Sequence, residues 1–273
     1  MKFWVAVLGG VLCAFGQEPP AAPPAAPPAP AVLEYQGKPM PLAFQCTADD
    51  IDWAGLTCSP EEPCPIYLEL AAVESVGQRI FAAGNIHSAT VTLYSALLGS
   101  DDSGHTWREV HARIRGAGLD HIEFFDAEFG WAIGQTLFPL PQDPFLLVTS
   151  DGGQSWRRSP VFGESRENRF GTIQQVYFPS RRDGTLTVDR GPGSEGDRYE
   201  AFESADGGNS WTIKQTSRKP IPLKAPPPKP SDWRLRADGP SQAYHVEHRL
   251  ADRWTNIAAF SVKLGACKAS DAQ

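Results

Sequence analysis

The 273-residue chain carries 25 Lys and Arg against 32 Asp and Glu, a formal net charge of −7, with 41% hydrophobic residues, 25 Gly, 25 Pro and five Cys. An acidic chain without a clustered basic stripe argues against a nucleic-acid partner. Its apolar share is ample for one folded core.

Residues 1–16, MKFWVAVLGGVLCAFG, combine an early lysine, an apolar run and a small-x-small ending at Ala14-Phe15-Gly16. That is the grammar of a secretory signal peptide, too short to serve as a membrane-spanning helix. Cys13 follows Val11-Leu12, a poor lipobox, so cleavage is expected before Gln17 and the mature protein is expected to be periplasmic or secreted, with no integral membrane span. Residues 17–31 hold only Pro and Ala after Glu18 and read as an extended polyproline II tether. The folded domain is expected over residues 32–267, followed by a disordered tail at 268–273.

Strand-like runs then follow one another at short intervals. Residues 66–70, 79–83, 91–98 and 107–110 form a first group, 121–125, 130–134, 145–150 and the stretch from Trp156 a second, and 172–178, 185–188, 199–204 and the stretch from Trp211 a third. Short segments rich in β-branched and aromatic residues, bounded by Gly, Pro and Asp and lacking helical periodicity, predict an all-β fold. A last group, 233–236, 243–248 and 254–262, comes after residues 219–230, KPIPLKAPPPKP, which hold six prolines. Proline cannot donate to an interior ladder, so that insert reads as an edge, a belt over one face or a linker; a docking peptide is the sharper alternative.

The third and fourth strands of each full group are joined by one pattern. It runs Ser100, Asp102, Gly104, Thr106, Trp107; then Thr149, Asp151, Gly153, Ser155, Trp156; then Ser204, Asp206, Gly208, Ser210, Trp211. The aspartates are 49 and 55 residues apart, the span of a four-stranded sheet. Asp accepts from backbone N–H groups ahead of it, Gly supplies positive φ, and the hydroxyls tie down what remains, so each copy predicts a self-satisfied turn ahead of a buried Trp. Thr47-Ala48-Asp49 with Trp53, and Asp252 with Trp254, read as eroded copies at the two ends, which would make five periods.

These three segments resemble the Asp-box, or BNR, repeats of β-propellers, found in sialidases, sortilin-type receptors and photosystem II assembly-factor-like propellers. The resemblance implies four-stranded blades with the box on the outside of the propeller, away from the mouth. About 235 residues at this period make four to five blades, a small or incomplete ring.

Four cysteines remain after processing, which allows three connectivities; we expect Cys58 with Cys64, closing a five-residue loop, and Cys46 with Cys267, holding first and last blades together. The longer closure is worth on the order of 4 kcal/mol in the chain-entropy model. No CxxC spacing points to zinc. His245 and His248 are expected on opposite faces of a strand, and the run Asp49, Asp50, Asp52 reads as a solvated turn before it reads as a calcium loop.

Sialidase-type chemistry needs three arginines, a Tyr-Glu pair and an Asp acid. The family's Arg-Ile-Pro signature is unmet at Arg79-Ile80-Phe81, and nothing in the spacing of Arg79, Arg113, Arg166, Arg181 and Arg190 selects a triad. No catalytic residue, cofactor or metal is therefore assigned, and a non-enzymatic scaffold for a protein partner is the expectation. A glycoside hydrolase is the alternative, and a glycan-binding module stacking sugars on Trp131 or Trp233 is a third reading, against the simpler role of both rings as blade core. Conspicuous polar loops are Arg181-Arg182-Asp183 and residues 191–197.

Overall fold

The structure is a computed structural model that describes residues 31–138, 140–163, 170–194, 196–227 and 230–268. The signal peptide and most of the tether expected over 1–31, Arg166 and the tail from residue 269 lie outside the described residues.

The chain opens with β1 (Leu33–Glu34), a short helix α1 (Ala48–Ala54), then β2 (Cys64–Val76), β3 (Arg79–His87), β4 (Thr92–Ser100) and β5 (Thr106–Glu109). There follow β6 (Ala117–Phe124), β7 (Gly130–Thr136), β8 (Gln142–Thr149) and β9 (Arg157–Pro160), then β10 (Thr172–Tyr177), β11 (Gly184–Asp189), β12 (Tyr199–Ser204) and β13 (Thr212–Ser217). The last strands are β14 (Trp233–Asp238), β15 (Ala243–Leu250), β16 (Arg253–Ser261) and β17 (Lys263–Cys267). The fold is all-β, a small β-propeller of four antiparallel sheets.

Sheet I has the order β1-β5-β4-β3-β2-β17, sheet II β6-β7-β8-β9, sheet III β10-β11-β12-β13 and sheet IV β14-β15-β16. Sheets II and III are plain meanders, as successive short strands with tight turns demand. Sheets I and IV are finished by the chain ends. Met40 lies parallel beside Phe260, its N–H donating to the Ala259 carbonyl (2.8 Å) and its carbonyl accepting from Ser261 N–H (2.9 Å), so the N-terminal segment supplies the fourth position of sheet IV. β17 leaves sheet IV to pair with β2, and β1 pairs with β5 on the opposite edge of sheet I.

Three hydrophobic clusters join the sheets in the order IV, I, II, III. Ile66, Leu68, Leu98 and Trp107 of sheet I meet Val246, Ala258 and Phe260 of sheet IV. On the other face of sheet I, Phe81, Ala83 and Leu97 meet Leu119, Phe145, Leu147 and Trp156 of sheet II. Trp131, Leu146 and Val148 of sheet II meet Phe178, Leu186, Val188 and Phe202 of sheet III. Each large apolar side chain buried in these seams contributes about 1.5–3 kcal/mol. Among the described residues no such cluster joins sheet III to sheet IV, so the ring is incomplete at that seam.

Two expectations at the chain ends are overturned. Thr47 is the N-cap of α1: its hydroxyl accepts from Asp50 N–H (3.1 Å) while its own N–H donates to the Asp50 carboxylate (2.9 Å), a capping box that makes a helix where an eroded turn or a solvated acidic loop was expected. The fifth position there is Ile51, which cannot adopt the positive φ that the turn needs. Ala251 and Asp252, at φ 44° and 63°, form a two-residue hairpin between the second and third strands of sheet IV, too tight for a carboxylate-centred loop. The repeat count is therefore four sheets, not five periods.

Both expected disulfides are present, Cys46–Cys267 across 221 residues and Cys58–Cys64 across six. Two disulfides fit an extracytoplasmic location, and no helix among the described residues is long and apolar enough to cross a membrane. The proline-rich insert forms no strand over residues 219–227; Leu223 N–H donates to the Gln175 side-chain oxygen (3.0 Å), so the insert runs back over sheet III as a belt.

Loop-closure entropy predicts that Cys46→Ala with Cys267→Ala costs about 5 kcal/mol and Cys58→Ala with Cys64→Ala about 2 kcal/mol. Urea titration of the two double variants measures the difference, and equal losses would show that the long crosslink is not what holds the chain ends.

Candidate functional site

The three repeated turns have one geometry. In the first, Ser100 Oγ donates to Asp102 Oδ1 (2.9 Å) and accepts from Gly104 N–H (2.8 Å), while Thr106 donates its N–H to Asp102 Oδ1 (2.8 Å) and its hydroxyl to Oδ2 (2.7 Å). Thr149, Asp151, Gly153 and Ser155 repeat these bonds at 2.8, 2.8, 2.9 and 2.5 Å. Ser204, Asp206, Gly208 and Ser210 do so at 2.8, 2.9, 3.0 and 2.7 Å. Trp107 and Trp156 donate their indole N–H to the Gly104 and Gly153 carbonyls (3.0 and 3.2 Å); the buried Trp211 N–H has no acceptor.

Burial alone would raise these carboxyl groups, but the converging donors win. Asp102 is held down at about 2, by the Thr106 N–H and hydroxyl and by Ser100, and Asp151 and Asp206 are lowered by their equivalents. The fourth residue of each turn donates its N–H to the hairpin of its own sheet: Ser103 to Gln78 O, Gly152 to Glu128 O and Gly207 to Arg182 O, at 3.1, 2.8 and 2.7 Å.

Each turn also abuts the sheet before it. The glycine at the fifth position, with φ of 94°, 84° and 76° in turn, lies against Ile257 of sheet IV, Phe81 of sheet I and Val148 of sheet II. A Cβ at Gly153 would fall 2.2 Å from the Phe81 ring. Trp107 packs edge-on to Phe260 and Trp156 edge-on to Phe81, so the seam between sheets is built from the turn itself. The turn residues are thus assembled as an adhesive between sheets.

The arginines that sialidase chemistry would bring together are dispersed. Arg79 spans two turns, donating to the Asp151 and Gly152 carbonyls (3.1 and 2.8 Å) and pairing with Asp101 (3.3 Å). Arg113 pairs with Glu109 (2.7 Å) and donates to Ala43 O (2.6 Å). Arg181 joins sheet III to Asp126 and Glu128 of sheet II (2.6 and 2.5 Å). Arg190 lies over the Phe162 ring and 3.7 Å from Glu200. Tyr94 does donate to a carboxylate, that of Asp50, beside Arg115, but burial and the neighbouring carboxylate push its phenol up, away from nucleophile chemistry.

Sequence reasoning missed a carboxylate group where β2 meets β6. Burial raises the Glu74 carboxyl, helped by Glu123, and burial raises Asp120 despite His121. His121 lies 3.4 Å from Glu123. Among the described residues no group of three or more His, Cys, Asp or Glu could hold a metal. His245 and His248 do take opposite faces of β15, the first beside Asn256 and the second stacked on Trp233. Trp131 is buried and Trp233 is packed against the sheet I and IV cluster, which leaves neither as an open stacking platform.

The free face of sheet IV is polar. Glu247, 6% exposed, accepts from Arg234 and Arg236 (2.7 and 2.8 Å), and Arg234 lies over the Trp254 ring.

No family model and no curated protein matches the sequence. Among solved structures, the chain is similar to a GH74 xyloglucanase from Xanthomonas campestris, at 17% identity over 51% of this chain and 19% of that one, with a TM-score of 0.37. It is also similar to YCF48 from Cyanidioschyzon merolae, at 15% identity over 71% of this chain and 57% of that one, with a TM-score of 0.35. The chain thus spans about a fifth of the first and somewhat over half of the second.

The glycine contact predicts that Gly153→Ala costs about 2 kcal/mol, by overpacking and a strained φ, whereas Gly239→Ala, with nothing within 4 Å, stays within about 0.5 kcal/mol. Urea midpoints compare them directly. The lowered turn carboxylates contribute stability that is present above the unfolded Asp value and is lost as pH falls through their folded values, about 2 for Asp102. Asp102→Asn should therefore flatten part of the loss between about pH 4 and 2; an acid limb identical to wild type in stability-versus-pH curves would refute the assignment.

Proposed function

We propose that the chain is an extracytoplasmic binding scaffold, an Asp-box β-propeller that presents surface to a partner protein. The observation that carries this reading is the disposition of the arginines: Arg79 closes an interturn contact, Arg181 an intersheet contact, and Arg113 ties the segment after β5 to the chain before α1, with their guanidinium groups committed to carboxylates and carbonyls of the frame. Residues used this way hold surfaces in register instead of gripping a substrate carboxylate. The polar face of sheet IV then offers recognition area.

A second reading, glycoside hydrolysis, is favoured by one specific feature, the raised carboxyl groups of Glu74 and Asp120 on neighbouring strands. The secreted form of the chain, tested against sialosides, xyloglucan and a panel of aryl glycosides, is expected to turn over none of them above background. Site-specific photo-crosslinking on sheets III and IV in the producing cell is expected to yield one discrete protein adduct. Turnover that disappears in Glu74→Gln or Asp120→Asn would replace the scaffold reading with the hydrolase.

A further inference from the structure

We propose that a groove over the seam between sheets I and II, lined by Arg79 and Arg108, binds an acidic side chain of a partner protein. This deepens the scaffold reading and rests on it. The groove has a volume of about 670 Å³ and lies between the β2–β3 hairpin, the first two repeated turns and the β6–β7 hairpin. Gln78, Asp101, Ala127 and Gln154 complete its polar and small lining. Its size falls among ligand sites, which run to about 300–1,000 Å³.

The neighbouring seam shows the same place closed. Between sheets II and III the β6–β7 hairpin presents Asp126 and Glu128, and Arg181 of the β10–β11 hairpin pairs with both (2.6 and 2.5 Å). Both acids are committed to that side. Toward sheet I the same hairpin offers Ala127, which has no side-chain group to pair, and the hairpin opposite offers Gly77 and Gln78. No acid therefore reaches the arginines of this seam from across it.

The groove holds more donors than acceptors. Arg79 commits Nη1 to the Asp151 and Gly152 carbonyls (3.1 and 2.8 Å) and Nε to Asp101 (3.3 Å), while Arg108 commits Nη2 to the other oxygen of Asp101 (2.9 Å). Nη2 of Arg79 and both Nε and Nη1 of Arg108 have no hydrogen-bond acceptor among the described residues. Two guanidinium groups in the lining thus face one carboxylate, and one positive charge is left unbalanced. Because Asp101 holds both guanidinium groups, their remaining donors are oriented before a ligand arrives.

Charge and shape name the occupant. A monoanion balances the surplus, whereas a phosphate dianion would set its second charge against Asp101. A carboxylate also accepts two parallel bonds from a guanidinium. No aromatic ring lines the groove as a platform for a sugar, and Gln78 and Gln154 bring amides that match a peptide backbone.

The probe is the blocked pentapeptide AAEAA, titrated into the full chain with intact disulfides and followed by NMR at the backbone amides of Gln78 and Ala127 and at Arg108 Nε–H. These resonances should shift saturably with a Kd on the order of 1 mM, and binding should weaken with salt. The peptide AAQAA should leave them unmoved. Arg108→Gln should weaken AAEAA binding about 10-fold or more. Ala127→Glu, which supplies an acid from across the seam, should do the same with a urea midpoint at or above that of wild type, so that the loss cannot be assigned to unfolding. Equal shifts with AAQAA, or AAEAA binding retained in either variant, would overturn the site. Tighter binding of a phosphoserine pentapeptide would overturn the carboxylate, and tighter binding of a glucuronic acid disaccharide the peptide. The two readings fail separately: absence of peptide binding in a protein that still yields its crosslinked adduct overturns the groove and leaves the scaffold standing, whereas peptide binding that Ala127→Glu abolishes, in a protein that yields no adduct, overturns the scaffold.

Discussion

The assembly depends on a carboxylate held inside a turn. Asp102, Asp151 and Asp206 each gather backbone and hydroxyl donors within eight residues, so the carboxylate needs nothing from outside the turn to be satisfied. A turn complete in itself can be pressed against a neighbour as a rigid body. Its glycine and tryptophan then do so, against Ile257 and Phe260 for the first copy and Phe81 for the second. Local hydrogen bonding and intersheet packing are thereby coupled in one short motif.

The same coupling explains where the array stops. Sheet IV stands where a sheet preceding sheet I should stand, and it receives the first turn. It has no turn of its own to offer to sheet III, because β16 runs on into β17 instead of folding back as a fourth strand. Its free face carries the Arg234, Glu247 and Arg236 ladder, and sheet III carries a proline-rich belt. A stack ending in polar or covered faces is finished in the way terminal repeats of solenoids are.

The sequence was most legible where chemistry is local. The three turns, the four-strand grouping of sheets II and III and both cysteine pairings could be read because spacing and residue type suffice for them. The ends were misread for the same reason. Thr47-Ala48-Asp49 and Asp252 satisfy the polar half of the motif, and only the demand for positive φ at the fifth position, which Ile51 cannot meet, turns the first into a helix. Nothing local reveals that Met40 completes a sheet whose other strands lie some 220 residues away, nor that Arg79 serves a turn 72 residues further on. Glu74 was hidden because the charges that act on it, Glu123 and His121, reach it only when β2 meets β6.

The interleaving of the chain ends has a kinetic side. β1 and Met40 are among the first folded residues to leave the ribosome or cross a membrane, yet the partners of Met40 are in β16, and Cys46 waits for Cys267. Sheets II and III can form as their strands emerge, each from contacts close in sequence. Sheets I and IV cannot be finished before almost the whole chain is available. Until then, Met40, Leu42 and the face of sheet I destined for Phe260 are exposed apolar surface, open to aggregation. Loss of the last strand would prolong that exposure indefinitely, since β17 and its cysteine are what end it.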